Sequence, residues 1–342
     1  MNSRERVIRS IKFTSPDRAP IMHRTLPGAF RRYGQALEDL YARYPSDVLL
    51  SPKLRAPFRH ADPAGEGAGA GLVKDVWGCT WQKVTDDYAG LVVGHPLEDW
   101  SAMDTYRWPN PATGEEPAAA ELVATVGADG HQHYVMAAVG TIYHQYTFLR
   151  NMENGLMDVV EETPQFAYLL ERLTDFVVAR ARFWCQFEEV DGILVEDDWG
   201  SQENLLISPA KWRKWFKPLY TRVIQAIHAG GKFAHLHSDG QVRSIIPDLI
   251  EIGWDEINLQ VWTMDVKELG REFNGKICFR ADLDRQYVLP FGTVNEVEEH
   301  VRQTYAALGS RRGGYIGYGQ VGPDVPLRNA EAMLSALSSL GR

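Results

Sequence analysis

The chain lacks a run of about 18 consecutive apolar residues, the length a membrane-spanning helix needs. Its opening, MNSRERVIRSIKF, is charged and has no apolar core of the kind a signal peptide carries. Both features predict a cytoplasmic protein. Cysteine is scarce: Cys79, Cys185 and Cys278 lie far apart, are odd in number and form no C-x-x-C pair. That pattern predicts a reducing compartment, no disulfides and no cysteine-built metal clip. Positive charge is also in deficit, with 36 Lys and Arg against 45 Asp and Glu and a formal net charge of −9. Nucleic acid and anionic membrane surfaces are held by clustered Lys and Arg, so neither is an expected partner. Small molecules or proteins remain.

What is present is an ordinary globular composition, 44% hydrophobic and 24% charged over 342 residues, enough to bury a large core. Short β-type runs recur at 20–24, 47–51, 134–138, 192–196, 232–236, 256–260, 277–281 and 315–319. Several are apolar almost throughout, as strands of a parallel sheet covered on both faces must be. Helix-compatible stretches or loops separate them. Ser208-Pro209 reads as an N-cap with proline in the first turn of a segment that closes at Gly230-Gly231. Val294, Val297, Val301, Tyr305 and Leu308 form a helical apolar stripe. Eight such units predict a single-domain (β/α)8 TIM barrel spanning 1–342. An open doubly wound sheet shares the alternation and stays open at this stage.

The region from about 53 to 130 breaks the pattern with the Gly/Ala-rich run GEGAGAGLVKD, several tryptophans and a Pro-rich patch. It predicts a long insertion with a small hairpin. The glycine run does not fit G-x-G-x-x-G and no helix pattern follows, so it predicts a loop near the barrel mouth and no nucleotide cradle.

In a parallel β/α fold the residues following each strand face the site. Here those ends are polar: His23-Arg24 after the first strand, Glu196-Asp197-Asp198 and on to Gln202 after the fourth, Asn258-Leu259-Gln260 after the sixth, Asp282 after the seventh. In HLHSDG, alternate residues of an extended strand place His235, His237 and Asp239 on one face. Two imidazoles and a carboxylate can bind Zn²⁺ or a similar divalent metal. The plainer alternative is one histidine packed in the barrel wall and another capping the next helix. Glu196, Asp197 and Asp198 are candidates for cation ligation or general acid and base work, or for capping a loop backbone. Trp77, Trp81, Tyr143, Trp199 and Trp262 could line a pocket for a flat substrate or fill the core. Expected substrate contacts are His23, Trp77, Tyr143, Gln202, Gln260 and Asp282.

The segments RERVIRSIKFTSPDRAPI, KDVWGCTW, FLRNMENGLMDVVEETP, VEDDWGSQENLLISPAKWRKWFKPLY, FAHLHSDGQVRSIIPDLIEIGWDEINLQ, LPFGTVNEV and GGYIGYGQVGPDVPLRN, taken in order, resemble the uroporphyrinogen decarboxylase superfamily. They are most similar to its zinc-dependent, corrinoid-linked methyltransferase branch. The resemblance implies a barrel, a homodimer, and a zinc site built from a histidine and a cysteine two residues apart after the fifth strand, with a second cysteine after the last. Here His237 matches the histidine, Asp239 stands in the first cysteine position, and GYGQVGPDVP supplies no second. A hard carboxylate thus replaces a soft thiolate. The arginine-rich N-terminal segment of the true decarboxylases is reduced to scattered residues in MHRTLPGAFRRYG. No D-x-H-x-x-G stretch for base-off cobalamin occurs, so a corrinoid would arrive on a partner protein.

These readings lead to a metal-assisted, methyltransferase-like enzyme acting on a methyl or methoxy group of a small organic substrate. One alternative is a cofactor-free decarboxylase of an aromatic or pyrrolic acid with a carboxylate among Glu196, Asp197 and Asp198 as proton donor. The other is a barrel that serves as a non-catalytic subunit.

Overall fold

A computed structural model describes residues 1–50, 71–83, 90–113 and 115–341. The first six residues of the Gly/Ala-rich run, and the loop expected there, lie outside them. In chain order the strands are β1 (Ile21–Thr25), β2 (Val48–Leu49), β3 (Gly71–Lys74), β4 (Thr80–Lys83), β5 (Leu91–Gly94), β6 (Tyr134–Gly140), β7 (Gly192–Glu196), β8 (Phe233–Ser238), β9 (Glu256–Leu259), β10 (Cys278–Ala281) and β11 (Tyr315–Val321). Eight of them form one parallel sheet in the order β1-β11-β10-β9-β8-β7-β6-β2. Apart from β1 and β2, the two ends of that order, each strand neighbours its predecessor among the eight, with no switch point, so the sheet is a nearly closed barrel and not a doubly wound layer.

The last seam, between β1 and β2, is fastened by Asp47. Its backbone N–H donates to the Ile21 carbonyl (2.7 Å), and its carboxylate accepts from the Ile21 N–H (2.8 Å). Arg6 and Arg18 neutralise the same buried carboxylate at 2.6 and 2.8 Å. β2 is shorter than the run expected at 47–51, and this seam is where a side chain replaces part of the ladder.

Strand alternation sorts side chains into two layers. Odd-numbered residues of β7, such as Ile193 and Val195, join the core between sheet and helices. Inside the barrel a second cluster holds Met22, Val48, Tyr134, Met136, Cys278, Ile316 and Tyr318 together with Val7 and Ile11. These last two belong to the helix Ser3–Ile11, which stoppers the amino end of the barrel. Ser10 Oγ anchors it by donating to the Tyr315 carbonyl (2.7 Å).

Ser208 caps the following helix as expected, accepting from the Lys211 N–H. The segment is, however, two helices, Pro209–Trp215 and Lys217–Ala229. Pro218 has no N–H to continue the ladder, and the break falls just before it. The stripe at 294–308 is one helix with a reciprocal capping box between Thr293 and Glu296.

The insertion is larger than a hairpin: β3, β4 and β5 make a three-stranded antiparallel sheet. Trp81 packs edge-on against Phe148 and Trp77 against Phe176, with centroids 5.1 and 4.7 Å apart. Asp75 folds the β3–β4 turn by accepting from the Trp77 and Cys79 N–H groups and from Trp81 Nε1. Among the described residues no helix is long and apolar enough to cross a membrane.

Candidate functional site

The loops after β7 and β8 approach backbone to backbone. A Cβ on Gly240, which has φ +79°, would stand 2.2 Å from the carbonyl of Gly200, and one on Gly200 would meet the Gln241 nitrogen at 2.4 Å. Only glycine allows this contact. Cross-loop bonds then fix the register: Asp197 N–H donates to the His237 carbonyl (2.9 Å) and Gly200 N–H to the Asp239 carbonyl (3.1 Å). Trp199 N–H donates to Ser238 Oγ (3.0 Å). Gln260 reaches over from β9, its Oε1 accepting from the Gly240 N–H (2.9 Å).

The result is a three-residue group, Asp198, His237 and Asp239, whose ligand atoms lie within 4.8 Å of one another. His237 Nε2 stands 3.5 Å from Asp198 Oδ1 and 3.6 Å from Asp239 Oδ1. Its orientation has a specific cause. Asn258 Nδ2 donates to the Arg280 carbonyl (2.6 Å), which turns Asn258 Oδ1 toward His237 Nδ1 at 2.6 Å. An amide oxygen only accepts, so Nδ1 carries a proton and Nε2 is the ring nitrogen turned toward the two carboxylates. Asp198 Oδ1 also accepts from the Asp239 N–H (2.8 Å), tying the two acidic loops together.

Neighbouring carboxylates play different parts. Asp197 is fully buried and points away from the mouth. It accepts from the Ile142, Tyr143 and His144 N–H groups at 2.7, 3.2 and 2.8 Å and from Tyr220 Oη at 2.6 Å. These are the free N–H groups at the start of the helix Tyr143–Arg150. Burial pushes its pKa up, against the pull of these donors and of His144. Glu196 is buried at the end of β7 beside His237 in the strand register.

His235 shares the inward face with His237 but lies one layer deeper. It is fully buried, with Nδ1 at 2.6 Å from Glu256 Oε2 and Nε2 at 2.7 Å from Tyr134 Oη. Both ring nitrogens are thus engaged in the lumen, and His235 is not part of the Asp198–His237–Asp239 group. Gly192 makes room for it, because a Cβ there would come within 2.3 Å of His235 Nε2. Glu256 continues the network to Arg280 Nε (3.1 Å).

Among the expected substrate contacts, His23 sits on the outer face of β1, its ring stacked on Tyr41 at 4.4 Å. Burial lowers its pKa to about 4. Tyr143 stacks on Trp199 (4.2 Å) inside an aromatic cluster, and Trp77 lies between the insertion and the helix Pro164–Trp184. Gln202 is exposed in the loop after β7. Asp282 is buried at the mouth, its pKa pushed up to about 6 by burial against the pull of Arg285. Sequence reading named Asn258 as a polar strand end without giving it a role, and passed over Arg285. Strand parity could have supplied that role. Arg285 Nη2 donates to both oxygens of Asp239 (2.7 Å each) and Nη1 to Gln320 Oε1 (2.9 Å).

The cysteines lie elsewhere: Cys79 under Phe148, Cys185 at a helix end and Cys278 within the lumen. A thiolate zinc centre therefore does not fit this mouth. One imidazole with a fixed tautomer and two carboxylates do fit a harder divalent ion.

A nearly closed parallel barrel whose βα loops gather titratable groups at the carboxyl ends of its strands has the build of a barrel enzyme. The match to the family described as uroporphyrinogen decarboxylase (URO-D) extends over residues 72–340, most of the chain. The chain belongs to that family. A methyltransferase from Methanosarcina mazei has a similar structure, with a TM-score of 0.68 at 16% identity, covering 99% of this chain and 98% of that one. At that identity the likeness is one of fold. No curated protein matches the sequence.

Proposed function

We propose that this member of the URO-D family is a metal-assisted enzyme of methyltransferase type, acting on a methyl or methoxy group of a small organic substrate held in the barrel mouth. A separate corrinoid protein is the partner in this reading, and the active form is a homodimer. The observation that carries it is the His237 tautomer, fixed by Asn258 so that Nε2 faces Asp198 and Asp239. A histidine whose other nitrogen donates to an amide oxygen is the arrangement that metal-ligating imidazoles use. The fold likeness to a methyltransferase supports the reaction class.

A divalent ion held there would polarise a substrate oxygen as a Lewis acid. The chain's own groups do the rest. Asp198 and Asp239 supply negative charge, Asn258 holds the imidazole, and Gln260 with the Gly200–Gly240 contact keeps the two acidic loops at fixed spacing.

Asp282 favours a second reading. A buried carboxyl with its pKa near 6 can act as a proton donor at neutral pH, as a cofactor-free decarboxylase requires.

Metal analysis and Co²⁺ titration of the purified protein and of His237→Ala separate the two. The first reading expects Co²⁺ binding that His237→Ala abolishes and methyl transfer to free cob(I)alamin that chelators stop. Activity that survives chelators in both proteins, with loss of CO₂ from an added acid, would transfer the assignment to the second.

A further inference from the structure

The cation already bonded to Asp239 belongs to the chain. Arg285 Nη2 reaches both Asp239 oxygens at 2.7 Å, and Nη1 holds Gln320 Oε1 at 2.9 Å. Its Nε is 3.6 Å from Asp282 Oδ2. Burial opposes the guanidinium charge, yet Asp282 and Asp239 outweigh it and raise the pKa. The same Asp239 Oδ1 faces His237 Nε2 at 3.6 Å. A guanidinium and a divalent cation therefore draw on the same carboxylate lone pairs, and full occupancy by one weakens the hold of the other. Gln320, a neutral acceptor on β11, gives Arg285 a second anchor that does not depend on Asp239.

We propose that Arg285 is an exchangeable counter-ion: a divalent cation at Asp198, His237 and Asp239 displaces it from Asp239, and the released guanidinium, still held by Gln320, binds a carboxylate of the substrate. The exchange adds two positive charges to the pocket without removing the arginine, so its attraction for an anion rises. Cation and substrate carboxylate then bind with positive coupling, each tightening the other by the same factor. This proposal rests on the metal-centre reading above and adds the substrate class to it.

The test is titration of Co²⁺, followed by its visible absorption, into wild type, Arg285→Gln, Arg285→Lys and His237→Ala, with and without sodium benzoate as the carboxylate probe. Arg285→Gln should bind Co²⁺ about tenfold more tightly than wild type, the scale of a charge-assisted pair that is partly open to solvent. Benzoate should tighten Co²⁺ binding to wild type and leave Arg285→Gln unaffected. Equal or weaker Co²⁺ binding by Arg285→Gln, or the same benzoate effect in both proteins, overturns the proposal. If Arg285→Gln does not fold, Arg285→Lys, which keeps the charge but loses the fork that holds Asp239 and Gln320 together, should show both changes in the same direction and to a smaller extent, and no change in either overturns the proposal. The metal centre itself fails separately, when His237→Ala binds Co²⁺ as wild type does.

Discussion

Replacing Asp197 by alanine isolates a carboxylate that builds the site from one that could act in it. The substitution removes one acceptor group and strands four donors, the Ile142, Tyr143 and His144 N–H groups and the Tyr220 hydroxyl, in a fully buried position. Hydrogen bonds to a charged group contribute about 1.5–3 kcal/mol each. Four of them cannot simply be added, because the buried carboxylate carries its own desolvation cost, seen in its raised pKa. Each buried donor left without an acceptor costs about 1–3 kcal/mol, and because the four share one site that relaxes partly, the expected loss is on the order of 3–5 kcal/mol. Asparagine keeps the shape and one acceptor but turns an amide N–H₂ toward donors, so about 2 kcal/mol is expected for Asp197→Asn. Urea unfolding followed by tryptophan fluorescence measures both, and Trp199, whose Nε1 donates to Tyr220 Oη, reports from within the network. An Asp197→Ala protein that unfolds within 1 kcal/mol of wild type would refute the reasoning and return Asp197 to the list of free, reactive groups.

Three further outcomes are expected. Asp47→Ala opens the β1–β2 seam and leaves Arg6 without one of its two carboxylates, with a loss of about 3–5 kcal/mol in urea titrations; a loss under 1 kcal/mol would mean that the barrel closes without it. His23 has its folded pKa lowered to about 4 from 6.5, so the unfolded chain binds the extra proton first. Stability therefore falls as pH drops from 6.5 to 4, by up to about 3 kcal/mol from this group. His23→Phe keeps the stacking on Tyr41 and should flatten that limb of the stability profile; an unchanged slope assigns it to another group. Asn258→Leu frees the His237 ring and should weaken Co²⁺ binding by about 10- to 100-fold with the fold intact. Unchanged affinity would show that the tautomer is set by something else.

The barrel strands were readable because several, β6 and β7 most clearly, are short apolar runs buried throughout, and β7 and β9 match their expected runs within one residue at either end. The mouth was readable in direction but not in depth. Alternation correctly put His235 and His237 on one face, yet a single strand crosses two layers of the lumen, and only the partners Glu256 and Tyr134 reveal that His235 belongs to the lower one. The same alternation, extended past Glu196, separates Asp197 from Asp198: the first turns toward the helices, the second toward His237. Arg285 follows no such rule. It stands in an irregular loop after β10, and only the fold brings it to Gln320 and Asp239, 35 and 46 residues away along the chain.

The stopper helix Ser3–Ile11 makes the barrel a blind alley. Whatever enters at the mouth must leave by the same opening, past Arg285 and the Asp198–His237–Asp239 group. In the proposed methyl transfer, a carrier protein and a substrate would therefore share one doorway. Direct transfer needs both at that doorway together, so the proposed reaction would give intersecting double-reciprocal lines.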